Sequence, residues 1–206
     1  MIIHDVIQGS KEWLALRRKK VTGTRFKDLF GSDDLKLIDK LIAEEVSDEV
    51  EEQGYISEEM LRGEEYEPLA RDAYSKKNLV QVETFGFISS DKYPWLGFSP
   101  DGLIGGEDRT YKEAIEIKCP STHTHVRYIR MNQIPNEHKY QVRLIFIVCP
   151  TVEKVTFISY DPRFYKRPIW TKTVTRAEMA DELRAAEVQA IKFRGKFEKY
   201  YEQVTF

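Results

Sequence analysis

Cysteine is scarce in this chain, whose 206 residues include only Cys119 and Cys149. Two thiols cannot build a disulfide framework, a four-cysteine zinc site or the four-thiolate ligand set of an iron–sulfur cluster. Long hydrophobic runs are missing as well, since the longest, 144–149, has six residues against the ~20 of a membrane-spanning helix. The first residues include the acid Asp5 where a signal peptide would carry basic charge. We therefore expect a cytoplasmic protein without a membrane span.

A strong net charge is also lacking, because Lys plus Arg total 32 and Asp plus Glu total 34, for a net charge of −2. The chain is therefore not a bulk polycation, yet its charge is unevenly distributed. Residues 11–27 hold seven basic side chains and one acid, whereas 41–72 hold twelve acids and two basic side chains. These segments are either solvated helix faces or the two ends of a polarised molecule whose basic end faces a polyanion.

Apolar residues recur three and four positions apart in the first third of the chain, which predicts helices. Ser10 and Ser57 are typical N-cap residues, and Gly54 is expected to end the helix before it. Thr22-Gly23-Thr24 has the composition of a further helix start, and Pro68 is expected to kink or restart the helix that contains it. The predicted helices are 10–17, a short one from 22–24 to Phe30, 35–50 and 57–77.

The periodicity then changes to that of extended chain. Residues 79–88 are predicted to be extended, and 95–99 and 114–118 to be strands. The apolar run Leu144–Cys149 suits a fully buried central strand, paired with 155–160 across a turn. Helices followed by strands and a final helix indicate an α/β or α+β fold, with a central mixed β-sheet flanked by helices.

The last helix carries its own pattern. Thr175 and Glu178 have the spacing of a capping box, which predicts the start of a long helix over about 175–203. Seven apolar positions follow at alternating spacings of four and three residues, typical of a heptad seam that Gly195 weakens. The seam either packs on its own domain or forms a subunit contact. Its members are Met179, Leu183, Ala186, Ala190, Phe193, Phe197 and Tyr200.

The most informative polar residues stand in Pro100-Asp101-Gly102 and Glu116-Ile117-Lys118. Glu116 and Lys118 share one face of a strand, because side chains alternate there. If the strands around them form a hairpin, Asp101 and Glu116 converge on one hard cation such as Mg²⁺ or Mn²⁺. Lys118 could then orient a water or neutralise charge at a phosphate. The ordinary alternative is an Asp-Gly turn beside a solvent-facing Glu–Lys pair.

A second group predicts an anion site inside the basic segment. Thr22 and Thr24 lie at the expected helix start, where free N–H groups and the positive dipole end attract anions. The hydroxyls and the Arg17 guanidinium would complete such a site. The alternative is that Thr22 only caps a helix and Arg17 is solvated. Arg17 is preferred to Arg18 because of its spacing from Trp13.

Other candidate ligands favour structural roles. His123 and His125 lack zinc-site spacing and cysteine partners, so we expect them in a polar loop after the strand that ends at Lys118. Cys119 is expected to be a small buried residue rather than a nucleophile.

The Pro100-Asp101 and Glu116-Ile117-Lys118 pattern resembles the signature of the PD-(D/E)XK nuclease superfamily. Further landmarks follow in the order found in its YqaJ-type viral recombinase family, so the chain resembles that family over about 8–163. These landmarks are Trp13-Leu14-Ala15-Leu16-Arg17, Val21-Thr22-Gly23-Thr24, Gly63-Glu64-Glu65-Tyr66-Glu67, Tyr140-Gln141 and Tyr160-Asp161-Pro162-Arg163. The resemblance implies a restriction-endonuclease-like core in a single nuclease domain, 1–206, with a C-terminal helical extension.

The resemblance implies an activity and partners. A member of this family would be a metal-dependent 5′→3′ exonuclease that degrades linear double-stranded DNA to mononucleotides. It would leave 3′ single-stranded tails for a phage-type single-strand annealing protein. It would use Mg²⁺, with Mn²⁺ as a substitute and two ions per active site, and would form a homotrimer encircling DNA. A bacterial host cytoplasm is the implied location.

The resemblance also implies roles for individual residues. Glu67 would add a third carboxylate through a metal-bound water, and Gln141 would donate to a phosphate oxygen or fix a water. The implied catalytic set is Lys118, Glu116, Asp101, Glu67 and Gln141, and the implied metal ligands are Asp101, Glu116 and the backbone carbonyl of Ile117. Arg17, Thr22 and Thr24 would hold the 5′-terminal phosphate.

Three alternatives share the metal motif. One is a PD-(D/E)XK endonuclease or other DNA repair nuclease, which the anion site argues against because such an enzyme need not read a terminus. Another is a catalytically inactive DNA-binding relative, which the intact Asp101, Glu116 and Lys118 disfavour. The third, an iron–sulfur nuclease, needs more cysteines than the chain has.

Overall fold

The computed structural model describes residues 1–31, 34–47, 57–105, 108 and 110–206. The helices are α1 (Lys11–Arg17), α2 (Leu35–Val46), α3 (Glu58–Asn78), α4 (Thr122–Met131), α5 (Asn136–Val148) and α6 (Ala180–Thr205), with a 3₁₀ helix at Phe26–Phe30. The strands are β1 (Ile2–His4), β2 (Phe87–Ser89), β3 (Gly97–Phe98), β4 (Gly102–Gly105), β5 (Tyr111–Lys118), β6 (Lys154–Tyr160) and β7 (Ile169–Thr175).

These strands form two sheets. The larger sheet is mixed and has the order β4-β5-β6-β7, with β5 and β6 parallel and the two outer pairs antiparallel. The smaller sheet is antiparallel and has the order β1-β2-β3. The predicted mixed sheet flanked by helices is confirmed, and the separate three-stranded sheet is a feature that the sequence pattern did not indicate.

Two helix starts agree with their capping residues. The Ser10 and Ser57 side chains accept hydrogen bonds from the first turns of α1 and α3, as N-caps do. The α3 helix continues through Pro68 without restarting. The α2 helix ends at Val46, and the predicted continuation over 48–50 and the break at Gly54 lie outside the described residues.

The run Leu144–Cys149 is not a strand, so that prediction is wrong. Residues 144–148 form the buried last turns of α5, which packs on β3, β6, α6 and the 3₁₀ helix. A short apolar run is compatible with a buried strand or a helix enclosed on all sides, and periodicity cannot separate the two. As a result, β6 pairs with β5 and β7, and Leu144–Cys149 contributes no strand to the sheet.

Two other local predictions need smaller corrections. The segment after Thr22 forms a turn and then the 3₁₀ helix, whose Phe26 and Leu29 are buried, rather than an α-helix. Leu79 closes α3 in the left-handed conformation, with φ of 55°, instead of beginning extended chain. The Thr175–Glu178 box does form, with the Thr175 N–H donating to the Glu178 carboxylate over 2.7 Å. The helix that follows begins at Ala180, not at the box itself.

The seam of α6 packs within the chain. Its residues from Met179 to Phe197 are buried, and Tyr200 packs against the same core. Their neighbours lie in α2, α5 and the 3₁₀ helix, which decides the open alternative in favour of packing on the domain itself. None of the described helices combines the length with the apolar content needed to cross a bilayer.

Two glycine substitutions test the packing around β3 and the open face of α6. A Cβ at Gly97 would lie 2.5 Å from the Phe87 ring and 2.8 Å from the Ile88 carbonyl oxygen, whereas a Cβ at Gly195 would meet nothing within 4 Å. We expect Gly97→Ala to lower the free energy of unfolding by about 1–3 kcal/mol through overpacking. Gly195→Ala should raise it by roughly 0.5–1 kcal/mol, because alanine is the better helix former. Urea denaturation measures both, and equal effects of the two variants would contradict this description.

Candidate active site

The hairpin of β4 and β5 brings Asp101 to Glu116. Gly102 pairs with Ile115 in the antiparallel register, so Asp101, one residue earlier, lies beside the end of β5. Its Oδ2 accepts a hydrogen bond from the Ile117 N–H over 2.6 Å. The predicted hairpin is therefore confirmed. Its backbone pairing fixes the relative positions of the two residues that carry the carboxylates.

Glu116 and Lys118 project together from β5, as strand alternation requires. The Lys118 Nζ lies 2.5 Å from the Glu116 Oε1, and Glu116 is only 4% exposed. The intervening Ile117 faces the other way and packs, with Ile115, against Tyr74 of α3. Because Glu116 is buried and Lys118 is half-buried, this is not the solvent-facing Glu–Lys pair that was the ordinary alternative.

Negative charge exceeds positive charge at this point. Burial, and then the neighbouring Glu116 charge, raises the pKa of Asp101 well above its usual range. Burial also raises the pKa of Glu67, against the opposing effects of Arg71 and Lys118. Although burial opposes the charged ammonium, the Glu116 and Asp101 carboxylates raise the pKa of Lys118.

Glu67 reaches this group from α3. Its carboxylate forms an ion pair with Arg71, one turn later on the same helix. The Arg71 Nε–H in turn donates to the Asp101 backbone carbonyl over 2.7 Å. Arg71 therefore ties α3 to the turn that carries Asp101 and holds the third carboxylate near the other two.

A cleft of about 70 Å³ adjoins these residues. Its lining is Arg17, Gly23, Thr24, Phe98, Ser99, Glu116, Gln141 and Ile145. Two residues of the predicted anion site, Arg17 and Thr24, thus share a single space with the predicted metal ligand Glu116. Residues far apart in the sequence meet here because α1, the segment after β3, β5 and α5 converge.

Arg17 is held in the cleft without a charged partner. Its guanidinium lies 4.2 Å from the centre of the Trp13 ring and donates to the Ser99 hydroxyl over 3.4 Å. Among the described residues it forms no ion pair, and burial together with the Arg25 charge lowers the pKa of Arg17 to about 10. Arg18 instead donates to the Ser47 carbonyl. A half-buried cation without a counter-ion among the described residues is suited to binding an anion.

The two threonines of the predicted anion site, Thr22 and Thr24, differ in exposure. Thr24 is exposed at the cleft, whereas Thr22 is 2% exposed and does not line it. The Thr22 carbonyl accepts from the Arg25 and Phe26 N–H groups, so this residue closes the turn before the 3₁₀ helix. The structure therefore does not bring Thr22 to the site.

Ser99 is a cleft residue that sequence reasoning missed. Its hydroxyl accepts from the Trp13 indole N–H over 2.8 Å and also from Arg17. It stands two residues before Asp101, and residues two apart on extended chain share a face. That spacing was the signal that could have found it.

Gln141 lies on α5, in the cleft, on a helix as expected. The strand that was predicted to follow it is the remainder of the same helix. Its side-chain amide lies close to Gly23 and is 3.4 Å from the His138 Nδ1. Gln141 therefore lines the cleft together with Gly23 and Glu116.

The histidine prediction is wrong for the local structure. His123 and His125 lie in α4, not in a loop, and His125 is fully buried. The His125 Nε2 is 2.9 Å from the Arg167 carbonyl and its Nδ1 is 2.7 Å from the Ser159 hydroxyl, so both ring nitrogens are satisfied. The prediction for Cys119 is confirmed, since it is buried and burial raises the pKa of its thiol to about 12.

The donor set fits a hard divalent cation. Within the described ranges there is no group of three or more His, Cys, Asp or Glu residues arranged to hold a metal. Mg²⁺ needs less, because it commonly uses one or two carboxylates together with water and phosphate oxygens. Asp101 and Glu116 are two such carboxylates, the first half-buried and the second buried, and Mg²⁺ or Mn²⁺ would relieve the repulsion between them. Metal ligation by the Ile117 carbonyl and binding of a second ion stay predictions.

Comparison with known proteins places this geometry in context. Residues 12–151 match the YqaJ-like viral recombinase domain. The crystal structure of LHK-Exo, an alkaline exonuclease from Laribacter hongkongensis, is 27% identical, with a TM-score of 0.81 over 95% of this chain and 96% of that one. The crystal structure of LHK-Exo in complex with dAMP is 29% identical over the same shares, with the same TM-score.

Two further similarities say less about what this chain does. A phage related exonuclease from Haemophilus somnus 129PT is 11% identical with a TM-score of 0.56, over 93% of this chain and 99% of that one, and shows the fold alone. The uncharacterized protein R354 of Acanthamoeba polyphaga mimivirus is 26% identical over 120 residues. That match covers 55% of this chain and 21% of R354, so the chain corresponds to about a fifth of that relative.

The charge imbalance predicts a stability effect. We expect Asp101→Asn to raise the free energy of unfolding in EDTA by about 0.5–2 kcal/mol, since a neutral amide removes the repulsion with Glu116. The amide oxygen can still accept from the Ile117 N–H. Asp72→Asn is the matched control: Asp72 is exposed and pairs with Lys76, so the effect should stay within about 0.5 kcal/mol. A loss of stability in Asp101→Asn would contradict the proposed repulsion.

Proposed function

Because this chain belongs to the YqaJ-like viral recombinase family, we propose that it is a metal-dependent 5′→3′ exonuclease acting on linear double-stranded DNA. It would start at 5′-phosphorylated ends, release mononucleotides and leave 3′ single-stranded tails. The similarity to an alkaline exonuclease over nearly the whole chain supports a nuclease that acts on DNA. The polarity and the metal requirement are the finer parts of the proposal.

One observation carries the proposal: Arg17 and Glu116 line the same small cleft. A terminal phosphate has more negative charge than an internal one, so an unpaired guanidinium prefers it. If Arg17 holds a 5′ phosphate, the next phosphodiester must lie near Glu116 and Lys118. Recognition of the end and cleavage would then be about one nucleotide apart, which favours release of mononucleotides and disfavours an endonuclease.

Each candidate site residue would have a defined task in this scheme. Arg17, Ser99 and Thr24 would bind the terminal phosphate, and Gln141 would donate to a phosphate oxygen from α5. Lys118 stays protonated because its carboxylate neighbours raise its pKa, so it would donate to the phosphate or to the attacking water rather than accept a proton. Arg71 would keep Glu67 in place beside that water.

The resident cofactor in this proposal is Mg²⁺, with Mn²⁺ as a substitute, held by Asp101 and Glu116. When bound, it would stabilise charge on the scissile phosphate and favour ionisation of water. The remaining family properties also belong to the proposal: a homotrimer around the duplex, a single-strand annealing protein that receives the 3′ tails, and the cytoplasm of a bacterial host.

Loss of a carboxylate should abolish cleavage. We expect Glu116→Ala to remove detectable digestion of a linear duplex while leaving duplex binding largely intact, because it takes away a proposed metal ligand rather than an apolar core contact. Lys118→Ala should lower the rate at least ~10²-fold, the scale of losing one preorganised charge-stabilising donor. Product release from labelled duplex measures both rates. Normal turnover of Glu116→Ala would refute the metal assignment, and a loss below about fivefold would give Lys118 a structural role.

Arg17→Ala should change which ends are used. We expect this variant to keep its cleavage chemistry and to lose the preference for 5′-phosphorylated over 5′-hydroxyl duplex, since the unpaired guanidinium of the cleft is gone. Arg18→Ala is the matched control, because Arg18 donates to Ser47 and does not line the cleft. It should keep the wild-type ratio of the two rates. If Arg17→Ala also keeps that ratio, Arg17 does not read the end.

A further inference from the structure

The loop between β6 and β7, residues 161–168, exposes basic and aromatic side chains that the scheme above does not use. It reads Asp-Pro-Arg-Phe-Tyr-Lys-Arg-Pro, and Arg163, Tyr165, Lys166 and Arg167 are all exposed. Tyr165 is 81% exposed, so its ring contributes almost nothing to the core. We refer to 161–168 as the basic loop.

The basic loop is fixed from within. Asp161 is fully buried and accepts from the Thr122 hydroxyl and from the Arg163 Nε over 2.7 Å. The Arg167 carbonyl lies 2.9 Å from the buried His125 Nε2, and the Phe164 ring meets the His125 ring edge-on at 5.8 Å. These contacts hold the backbone while the cationic tips point to solvent.

The charge of the basic loop is not cancelled locally. The one acid in the loop, Asp161, is paired with Arg163. Within the part of the chain that the structure describes, the Lys166 and Arg167 side chains form no ion pair or side-chain hydrogen bond. On a protein with a net charge of −2 this is a local positive patch, the electrostatic pattern of a surface that binds a polyanion.

The basic loop lies at the edge of the sheet that carries the candidate catalytic residues. Strands β5 and β6 are parallel with Lys118 opposite Ser159, so the chain leaves both strands at the same edge. The Arg163 Nη2 donates to the Pro120 carbonyl over 3.1 Å, only two residues beyond Lys118. A duplex whose end is in the cleft would pass close to this edge.

We infer that the basic loop is a second duplex-binding element, in which Lys166 and Arg167 contact backbone phosphates away from the end being cut. The exposed Tyr165 would add a hydroxyl contact to the phosphate or sugar. This inference rests on the proposed nuclease function and extends it, since it assigns a binding surface outside the cleft. A loop that acts by binding affects affinity and leaves the chemical step unchanged.

Salt dependence of binding tests the inference. Full-length wild type and the Lys166→Ala/Arg167→Ala double variant would be titrated, in EDTA, into a short fluorescent duplex at several NaCl concentrations. Each phosphate contact adds about 0.9 to the slope of log affinity against log salt. We expect the slope of the double variant to be smaller by about 2. Tyr165→Ala should lower affinity at an unchanged slope, because tyrosine is uncharged.

A matched control separates a local contact from bulk charge. Lys192 and Lys199 are exposed on α6, so Lys192→Ala/Lys199→Ala makes the same charge change elsewhere on the surface. It should retain the wild-type slope. Equal losses in the two double variants, or an unchanged slope in Lys166→Ala/Arg167→Ala, would overturn the inference.

Digestion kinetics with Mg²⁺ separate this inference from the proposed function. We expect the basic-loop double variant to have a raised KM for duplex and an unchanged kcat. A fall in kcat at an unchanged KM would overturn the binding role while leaving the nuclease proposal intact. If wild type neither binds nor digests duplex DNA, the proposed function itself fails.

Discussion

The half-buried Asp101 and the buried Glu116 lie side by side where β4 pairs with β5, and Lys118 balances only part of their charge. Two contacts join helix α3 to the hairpin that carries these residues. On the other face of β5, the buried Glu113 accepts from the Tyr74 hydroxyl over 2.9 Å and so joins α3 to the strand. Arg71 makes the second connection, from α3 to the Asp101 carbonyl. These two contacts hold Glu67 over the hairpin.

In the proposed function, this arrangement would lower stability at the place where the cation and the phosphate bind. Packing like charges in a low-dielectric environment is unfavourable unless a cation is present. The same reasoning applies to Arg17, a half-buried guanidinium without a carboxylate partner among the described residues. An excess of negative charge suits binding of a divalent cation, and the unpaired positive charge beside it suits binding of a phosphate. In the proposed function, the carboxylates would therefore face the cation and Arg17 would face the phosphate of the DNA.

The sequence predicted those parts of the fold that depend on local pattern. Strand alternation placed Glu116 and Lys118 together, and the capping serines fixed the starts of α1 and α3. Leu144–Cys149 was misassigned because a helix enclosed by β3, β6 and α6 has no polar face to reveal its period. The prediction included Thr22 and missed Ser99 because both positions depend on tertiary contacts. The turn before the 3₁₀ helix buries Thr22, and a hydrogen bond from Trp13 holds Ser99 at the cleft. No local pattern encodes either contact.

The most direct test of the account is digestion of a linear duplex labelled at its 5′ ends or at its 3′ ends, by the unmodified full-length chain, in Mg²⁺ and in EDTA. We expect label to be released as mononucleotide from 5′-phosphorylated ends in Mg²⁺ alone, while the 3′-labelled strand remains as a single-stranded tail. Release from the 3′ ends, or equal digestion in EDTA, would contradict the claim that Arg17 and the Asp101–Glu116 pair form one end-reading, metal-dependent site.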